Sequence, residues 1–368
     1  MHTERLKRLQ ESLQAHNVDC LALIAGTNLR YLTGLQFHLS ERPVTGFFPV
    51  NGTPVLVAPA LEAGKLAALP FEMQRFTYED GEDPESAYRQ GIGALPEVQR
   101  LGVEYLQMRV LELRLVQRHV PAAQVIDAGP VMTELRIRKD QGELEAMRRA
   151  VQIAEQALAE VVKDIRPGVT ERQVAGQLSA LLRKFGGGTE PFEAIVLGGP
   201  NTANPHGVPG DYAFKEQDVV LIDFGTTYHG YISDITRTFF LGEPSGRARE
   251  VYDVVQAANA AGRATARPGV SGEEVDSATR QVIVKAGYGR YFIHRTGHGI
   301  GLEGHEPPYM VTGNRQPLAP GMTFTIEPGI YIPGKIGVRI EDDVAITAED
   351  SKSLTTYSRD LTILKGWS

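Results

Sequence analysis

The sequence predicts a two-domain protein of the α/β class (α+β in its second part). A small α/β domain is expected over residues 1–130 and a larger domain over residues 131–368. Three observations support this prediction. The chain has 368 residues, which exceeds the usual size of one domain. Short strands alternate with helices near the N-terminus, as in compact α/β domains. An internal repeat then divides the rest of the chain into two similar halves with approximate two-fold symmetry.

The composition is that of an ordinary globular protein. Hydrophobic residues form 42% and charged residues 23% of the chain, and the formal charge of -7 argues against a nucleic-acid-binding surface. The single cysteine, Cys20, lies in an apolar run and cannot form an intramolecular disulfide, so we expect a buried thiol and a cytoplasmic protein. No apolar run approaches the ~20 residues of a membrane-spanning helix, and we expect no membrane partner.

The first domain shows structural patterns without a cluster of chemically reactive residues. A helical pattern near the N-terminus leads into a buried strand, VDCLALIAG. Asn51-Gly52 predicts the turn of a β-hairpin, and a further helical pattern runs from Leu61 to Leu69. The runs RFTY, LGVEYL and AQVIDAG predict three more strands. We expect a structural role here, in shaping the substrate site or in oligomerisation.

The internal repeat consists of RPGVTERQVA from Arg166 and RPGVSGEEVD from Arg267. Each copy contains a helix-capping residue followed three positions later by Gln or Glu, which is the pattern of a capping box. The pairs are Thr170 with Gln173 and Ser271 with Glu274. Each predicted helix ends at a glycine sixteen residues past its cap, Gly186 or Gly287. Since β-rich sequence follows both copies, each half should contribute helices and a hairpin.

The first hairpin, VVLIDFGTTYHGYISDITRTFF, carries two aspartates in otherwise buried strands. Asp223 lies opposite Asp234 if the turn centres between Tyr228 and His229. A turn at His229-Gly230 instead makes the two aspartates diagonal neighbours on one face. Two carboxylates at that distance repel each other unless a proton or a cation lies between them. A divalent metal is therefore our first hypothesis, and a solvated hairpin face is the alternative.

The second half should supply a matching hairpin with carboxylates. MTFTIEPGIYI and KIGVRIEDDVAI read as two strands, and Glu327 interrupts the first of them. Arg339 and Glu341 share the polar face of the second strand, where they could also form a simple ion pair. Four carboxylates on two related hairpins would then converge where the halves meet.

Histidines concentrate between the second repeat helix and this hairpin. His294, His298 and His305 lie in YFIHRTGHGIGLEGHEPPYM, whose glycines make a helix improbable. Three histidines beside four carboxylates favour a metal or acid–base site. His206, between Pro205 and Gly207, reads equally well as a surface loop residue.

Charge and ligand type then suggest the metal. Two divalent cations neutralise four carboxylates, and a carboxylate-rich set with one imidazole suits Mn²⁺ first, with Co²⁺ or Zn²⁺ as alternatives. Two such ions ~3.5–4 Å apart can hold a bridging water as hydroxide and polarise a carbonyl or phosphoryl oxygen. The constellation therefore predicts hydrolysis, without identifying the substrate.

These residues resemble the metallopeptidases with the pita-bread fold, which include methionine aminopeptidase, aminopeptidase P and prolidase. The resemblance covers residues 130–368 and rests on one five-residue set: Asp223, Asp234, His298 in HRTGHGIGLEGHE, Glu327 in TIEPG, and Glu341 in VRIED. TNLRYLTGL also resembles the N-terminal domain of aminopeptidase P, prolidase and creatinase. The resemblance implies the proline-specific branch, cleavage of the Xaa-Pro bond of dipeptides or short peptides by hydroxide between two metals, and a homodimer.

The resemblance also implies a role for each residue. Asp223 and Glu341 would bridge the metals, with Asp234 on one ion and His298 on the other. Glu327 would be a ligand and the proton shuttle. His206 and His305 would hold the substrate and stabilise the tetrahedral intermediate. His294 matches a histidine near the proline pocket, and Arg339 matches an arginine beside the site.

Three alternatives follow from the same resemblance. Creatinase shares the fold but works without metal and lacks the full ligand set, which is complete here. Pita-bread domains kept only for binding, as in histone-chaperone subunits, also lose the ligands. Within the proline-specific branch, a prolidase acts on dipeptides and aminopeptidase P on longer peptides. The difference is whether the pocket closes over the free proline carboxylate, either by a basic residue, for which Arg295 and Arg315 lie near the motif, or by a loop from a partner subunit.

Overall fold

A computed structural model describes residues 2–365, which divide into two compact units. The first unit ends at Arg136 and the second begins at Ile137. A boundary at residue 130 would cut the helix Gly129–Arg136, where the Leu135 carbonyl accepts a 3.0 Å hydrogen bond from the Tyr31 hydroxyl. No helix among the described residues is long and apolar enough to cross a lipid bilayer.

The first unit is built on a six-stranded mixed sheet in the order β4-β3-β2-β1-β5-β6. Its strands are β1 Cys20–Ile24, β2 Thr45–Pro49, β3 Val55–Pro59, β4 Gln74–Tyr78, β5 Arg100–Val103 and β6 Gln124–Asp127. β2 and β3 form the antiparallel hairpin predicted around Asn51-Gly52, whereas β3–β4, β1–β5 and β5–β6 are parallel. Cys20 is fully buried in this sheet, as its apolar context predicts.

Six helices accompany this sheet in the described part of the unit. They are α1 His2–Ala15, α2 Thr27–Thr33, α3 Ala63–Leu66, α4 Glu85–Gly93, α5 Val110–Gln117 and α6 Gly129–Arg136. The helix predicted over Leu61–Leu69 is much shorter, because a 3₁₀ turn precedes α3 and only Leu66 of α3 is buried. With one buried apolar side chain, this segment has little packing to extend it.

The second unit begins with two helices of its first half, α7 Gln141–Val161 and α8 Glu171–Lys184, and the second half repeats the pattern with α9 Gly246–Thr265 and α10 Gly272–Lys285. Both predicted capping boxes form, at Thr170 and at Ser271, each with reciprocal side-chain and backbone bonds to the third helical residue. Gly186 and Gly287 follow the two helices with φ of 91° and 84°, a region that favours glycine. The internal repeat is therefore structural.

The hairpin predicted around the two aspartates consists of β8 Val219–Tyr228 and β9 Tyr231–Phe240, flanked by β7 Ile195–Gly198 and β17 Thr362–Ile363. Tyr228 pairs with Tyr231, so the turn is His229-Gly230, and both turn residues have positive φ. Asp234 pairs with Gly225, two positions from Asp223. The aspartates are diagonal neighbours on one face, which is the second of the two registers considered above.

The second half carries its carboxylates at strand breaks. Its strands are β10 Gly297–Gly299, β11 Glu306–Met310, β12 Thr323–Ile326, β13 Gly329–Ile332, β14 Ile336–Arg339, β15 Asp342–Ile346 and β16 Ser351–Ser353. The predicted single hairpin is divided in two, because β12 pairs with β15 while β13 pairs with β14 in a separate ribbon. Glu327 lies in the gap between β12 and β13, and Glu341 lies in the matching gap between β14 and β15.

Apolar packing holds the helices of each half against these strands. α7 and α8 contribute Leu158, Val174 and Leu178 to a core that includes Ile222 and Phe224 of β8. α9 and α10 pack similarly against the β13–β14 ribbon. The carboxylate-bearing faces of the hairpins therefore point away from these cores.

Candidate active site

All nine residues predicted for the site line one cavity of about 780 Å³ in the second unit. They are His206, Asp223, Asp234, His294, His298, His305, Glu327, Arg339 and Glu341. Hydrophobic side chains, among them Phe192, Ile195 and Val208, also line it, together with the charged side chains of Glu193 and Arg295. The cavity thus combines an apolar wall with a dense group of ionisable side chains, which is the general character of a binding or catalytic site.

Asp223 lies on β8 and is 8% exposed. Its Oδ2 accepts a hydrogen bond from Nη2 of Arg339, a buried side chain from β14. Its Oδ1 is buried and has no hydrogen-bond partner among the described residues. One oxygen of Asp223 is therefore held by a cation, and the other remains free to bind a ligand.

Asp234 lies on β9 and is 6% exposed. Its backbone N–H donates to the Asp343 carboxylate at 3.0 Å, while its own Oδ1 has no partner in the described chain. Burial, and then the negative charges of Glu341 and Asp223, raise the pKa of Asp234 well above its ordinary value. This carboxylate is thus costly to ionise unless a cation binds beside it.

Glu341 is 2% exposed in the gap between β14 and β15. Its Oε2 accepts a 2.6 Å hydrogen bond from the Thr236 hydroxyl, and its backbone N–H donates to the Thr236 carbonyl at 3.1 Å. Burial and the neighbouring carboxylates of Glu327 and Asp223 raise the pKa of Glu341 well above its ordinary value. Thr236 of the first hairpin therefore positions the carboxylate of Glu341, which belongs to the second half.

Glu327 lies where the chain leaves β12, and its side chain is 15% exposed. Its backbone N–H donates to the Thr296 carbonyl at 2.8 Å, which ties the strand break to the histidine-rich segment. Burial raises the pKa of Glu327 to about 7, against the opposing effect of Arg339. A carboxyl group with this pKa can exchange a proton near neutral pH, as general acid–base catalysis requires.

His298 on β10 has a defined protonation. Its Nδ1 lies 3.1 Å from the Gly299 carbonyl, which can only accept, so Nδ1 carries the proton. Burial and then His305 lower the pKa of His298 to about 3, so the ring is neutral. Its Nε2 lone pair faces Oε1 of Glu327 at 3.3 Å and Oδ2 of Asp234 at 3.9 Å. This tautomer is the one in which Nε2 can bind a metal.

The ligand atoms of Asp234, His298 and Glu341 all lie within 4.8 Å of one another, and the three residues are buried. Carboxylate oxygens and a neutral imidazole nitrogen are suitable donors for Mn²⁺, Co²⁺ or Zn²⁺. The unpartnered Oδ1 atoms of Asp223 and Asp234 provide an independent observation in favour of a cation, because buried polar atoms normally have a partner. The residues present therefore fit a divalent metal site.

The sequence matches identify the family. Residues 145–348 match metallopeptidase family M24, and residues 5–138 match the creatinase/prolidase N-terminal domain. The chain belongs to metallopeptidase family M24.

Proteins similar over nearly the whole chain include two of known structure. A prolidase from Thermococcus sibiricus is 35% identical, with a TM-score of 0.94 over 99% of each chain. An X-Pro aminopeptidase from Thermotoga maritima is 31% identical, with a TM-score of 0.84 over 96% of this chain and 99% of the other. An uncharacterized peptidase from Staphylococcus saprophyticus is 35% identical over 355 residues, which are 96% of this chain and 100% of that protein.

These matches confirm the family and the fold predicted from the sequence, a creatinase-type N-terminal domain followed by a pita-bread metallopeptidase domain. The protein is therefore a hydrolase of a family that depends on two metal ions. All five residues that the resemblance implies as metal ligands line the cavity, whereas the metal-free and non-catalytic relatives considered above are expected to lack the full set.

In this M24 metallopeptidase, a hydrogen-bond relay links Arg339 to His294. Nη1 of Arg339 donates to the Tyr331 oxygen at 2.7 Å, and the Tyr331 hydroxyl lies 2.9 Å from Nε2 of His294. Nδ1 of His294 donates to the Arg295 carbonyl at 2.7 Å. Burial, and then Arg339, lower the pKa of His294 to about 4. Because both ring nitrogens already form hydrogen bonds, neutral His294 has no free donor for a bound molecule. Only the face of its ring is available in the cavity.

His206 and His305 differ from the other two histidines. Both are exposed at the cavity, and neither ring forms a hydrogen bond to another described residue. The His305 ring meets the His298 ring edge-on at 4.1 Å between centroids. Burial, and then Arg295, lower the pKa of His305. Each ring thus keeps a donor available for a bound molecule.

Sequence reasoning missed three residues that orient the metallopeptidase site. Thr236 donates to Glu341 and accepts a 3.0 Å bond from Nε of Arg339. Tyr331 joins Arg339 to His294, and Asp343 binds the backbone of Asp234. Thr236 could have been found, because it shares a hairpin face with Asp234. Tyr331 and Asp343 gave no sequence signal, since their contacts join distant parts of the chain.

Proposed function

We propose that this metallopeptidase hydrolyses the Xaa-Pro bond at the N-terminus of dipeptides and short peptides. One observation carries the proposal: buried carboxylates with unpartnered oxygens share a cavity with an apolar wall and two free histidine donors. A wall formed by Phe192, Ile195 and Val208 suits the apolar ring of proline. The similarity to a prolidase and to an X-Pro aminopeptidase supports the same substrate class.

Two divalent ions would be held by Asp223, Asp234, His298, Glu327 and Glu341, with Mn²⁺ preferred and Co²⁺ or Zn²⁺ as alternatives. When bound, they would supply Lewis-acid activation of water and of the scissile carbonyl group. The raised pKa values of Asp234 and Glu341 support this assignment, because cation binding would relieve the repulsion that causes them.

The chain's own residues would orient the substrate and move the proton. Glu327 would take a proton from the attacking water and pass it to the leaving proline nitrogen. His206 and His305 would donate hydrogen bonds to the carbonyl oxygen as negative charge develops there. His294, held by Tyr331, would form part of the wall around the proline.

Arg295 supports a preference for dipeptides. It lines the cavity and stacks on Tyr309, with its guanidinium carbon 4.7 Å from the ring centroid. Arg315, the other arginine considered from the sequence, is 89% exposed and pairs with Glu273 outside the cavity. A guanidinium in the cavity can pair with the free carboxylate of a C-terminal proline, which only a dipeptide presents at that distance.

Two further expectations belong to this proposal. A homodimer is expected from the resemblance to the proline-specific branch. A cytoplasmic location is expected from the lone cysteine, which cannot form an intramolecular disulfide.

The experiment that tests the proposal compares Ala-Pro, Ala-Pro-Ala and Ala-Ala as substrates of the Mn²⁺-loaded protein, with product detected by chromatography. We expect cleavage of Ala-Pro, slower cleavage of Ala-Pro-Ala, and no cleavage of Ala-Ala. Faster cleavage of Ala-Pro-Ala would favour an aminopeptidase P activity. Cleavage of Ala-Ala alone would contradict the proline-specific assignment.

A further inference from the structure

Glu171, the first residue of α8, forms hydrogen bonds to both ends of the loop that carries His206. Its Oε1 accepts hydrogen bonds from the Gly198 backbone N–H at 2.8 Å and from Nδ2 of Asn201 at 2.9 Å. Its Oε2 accepts from the Gly210 backbone N–H at 2.9 Å. One carboxylate thus holds both ends of the segment 198–210, with His206 between them.

This carboxylate is buried without a cationic partner. Glu171 is 1% exposed, and within residues 2–365 it forms no ion pair with lysine or arginine. Its charge is instead stabilised by neutral donors and by its place in the first turn of α8. Losing any one of these three hydrogen bonds would leave a buried charge with too few donors, which costs free energy. The carboxylate therefore fixes the positions of its three donors in the loop.

The loop is also packed closely against the rest of the half. A Cβ on Gly198 would lie 2.6 Å from the Phe214 ring, and one on Gly207 would lie 2.7 Å from Leu197. On the far side, the Thr202 hydroxyl accepts a 2.8 Å bond from the Gly337 N–H of β14, and the Pro205 carbonyl lies 3.4 Å from Nη1 of Arg339. The loop that carries His206 thus lies between Glu171, which holds its two ends, and β14, which carries Arg339.

We infer that Glu171 is a positioning residue for His206 and acts on the reaction through it. The inference rests on the proposed function for its kinetic consequence, but the contacts that carry it are independent of the substrate. A donor displaced by about 1 Å can lose on the order of 10²-fold in rate. Glu171 could not be identified as a site residue from the sequence, because it lies in a repeat helix and does not line the cavity.

Asp276 on α10 provides a matched comparison from the other repeat. It is also 1% exposed, and it accepts hydrogen bonds from Arg280 at 2.9 Å and from the Thr296 hydroxyl at 2.7 Å. Thr296 belongs to the segment between His294 and His298, so Asp276 stabilises a different part of the site. Asp276→Asn is therefore a buried carboxylate-to-amide change that should not act through His206.

The test is a double-mutant cycle with Glu171→Gln and His206→Ala on Mn²⁺-loaded protein with Ala-Pro. Glu171→Gln replaces one acceptor oxygen by a donor, so kcat should fall by roughly 10- to 10²-fold while metal content is retained. In the His206→Ala background, the same change should alter kcat by less than about 2-fold, whereas Asp276→Asn should lower it by the same factor in both backgrounds. Equal losses from Glu171→Gln with and without His206 would overturn the inference.

Hydrogen exchange on the substrate-free, metal-loaded protein tests the anchoring separately. Glu171→Gln should speed exchange in peptides covering 198–210, and Asp276→Asn should not. If Ala-Pro is not cleaved, the proposed function fails and this exchange measurement alone decides the inference; unchanged exchange in 198–210 overturns it. Should Glu171→Gln fail to fold, Asn201→Ala removes one donor from the loop side and should lower kcat about 3-fold, again only when His206 is present.

Discussion

Arg339 and Asp223 form a buried ion pair that joins the two halves of the catalytic unit. The Arg339 guanidinium, which is 3% exposed, donates to one oxygen of Asp223 and leaves the other oxygen without a partner. Its Nε and Nη1 atoms donate to Thr236 and Tyr331, so the cation is held in place. One of the four carboxylate charges is thus balanced by the protein itself, and two divalent ions would leave room for an additional anionic ligand.

Protonation of Glu327 should stabilise the metal-free protein as the pH falls from about 8 to about 6.5. Burial raises the pKa of Glu327 from 4.5 to about 7, so the folded state binds more protons than the unfolded state in this range. Stability therefore falls as pH rises through 7, by on the order of 1 kcal/mol for Glu327 alone, or about 2–4 °C in Tm. The pKa values of His294 and His298, lowered from 6.5 to about 4 and about 3, act in the opposite direction over the same range, because the unfolded state takes up protons there while the folded rings stay neutral. A comparison with Glu327→Gln therefore isolates the contribution of Glu327.

Differential scanning fluorimetry in EDTA measures the Tm of the parent protein and of Glu327→Gln at both pH values. The Tm of the parent protein relative to that of Glu327→Gln should rise from pH 8 to pH 6.5, and a difference that stays level or falls would contradict the raised pKa of Glu327. With excess Mn²⁺, the Tm of the parent protein should instead rise from pH 6.5 to pH 8, because protons and cations compete for the same carboxylates.

Asp234→Asn should stabilise the metal-free protein and abolish most of the stabilisation that Mn²⁺ provides. The change removes a buried charge whose pKa is raised by burial and by Glu341, and it also removes a candidate metal ligand. Asp253→Asn, on the exposed face of α9, is the matched control. It should change neither the stability of the metal-free protein nor the stabilisation that Mn²⁺ provides. Thermal unfolding with and without Mn²⁺ gives the stability of the metal-free protein and the stabilisation that Mn²⁺ provides. An unchanged Mn²⁺ effect in Asp234→Asn would exclude this residue as a ligand.

His305→Ala should lower kcat by on the order of 10²–10³ while leaving the metal content intact. The reason is that the ring lines the cavity with a free donor, which we propose stabilises the developing oxyanion. Steady-state kinetics and metal analysis of the purified variant measure the two effects. Loss of metal would instead make His305 a ligand, and its assigned role would be wrong.

Arg295→Met should reduce kcat/KM for Ala-Pro by about 10- to 10²-fold and have little effect on Ala-Pro amide. This follows if the Arg295 guanidinium pairs with the free proline carboxylate, a charge-assisted bond of about 1.5–3 kcal/mol. Arg315→Met, at the exposed arginine outside the cavity, serves as the control and should leave both substrates unaffected. Equal losses of kcat/KM for Ala-Pro and for its amide would show that Arg295 does not bind the proline carboxylate.

Much of the fold follows from local sequence patterns. The capping boxes at Thr170 and Ser271 form as predicted, because a cap involves only residues three apart. The sequence allows two β8–β9 registers, and the one with its turn at His229-Gly230 forms, where both turn residues adopt positive φ.

The remaining features depend on contacts between distant residues. Arg339 lies two positions from Glu341 in sequence, yet its partner is Asp223 on the other half. The second hairpin is divided after β12, where Glu327 precedes Pro328, and no local pattern specifies which strands pair on either side of such a break. The nine predicted residues share a cavity, but the groups that orient them emerge only from the folded chain.

A combined metal and activity titration tests the central claim most directly. EDTA-treated protein is titrated with Mn²⁺ while bound metal is measured by calorimetry and Ala-Pro hydrolysis is followed in parallel. We predict no hydrolysis without metal, two ions bound per chain, and activity that reaches its maximum as the second site fills. Undiminished hydrolysis by the metal-free protein, or two ions bound without any cleavage of Ala-Pro, would contradict the assignment of this chain as a dinuclear Xaa-Pro peptidase.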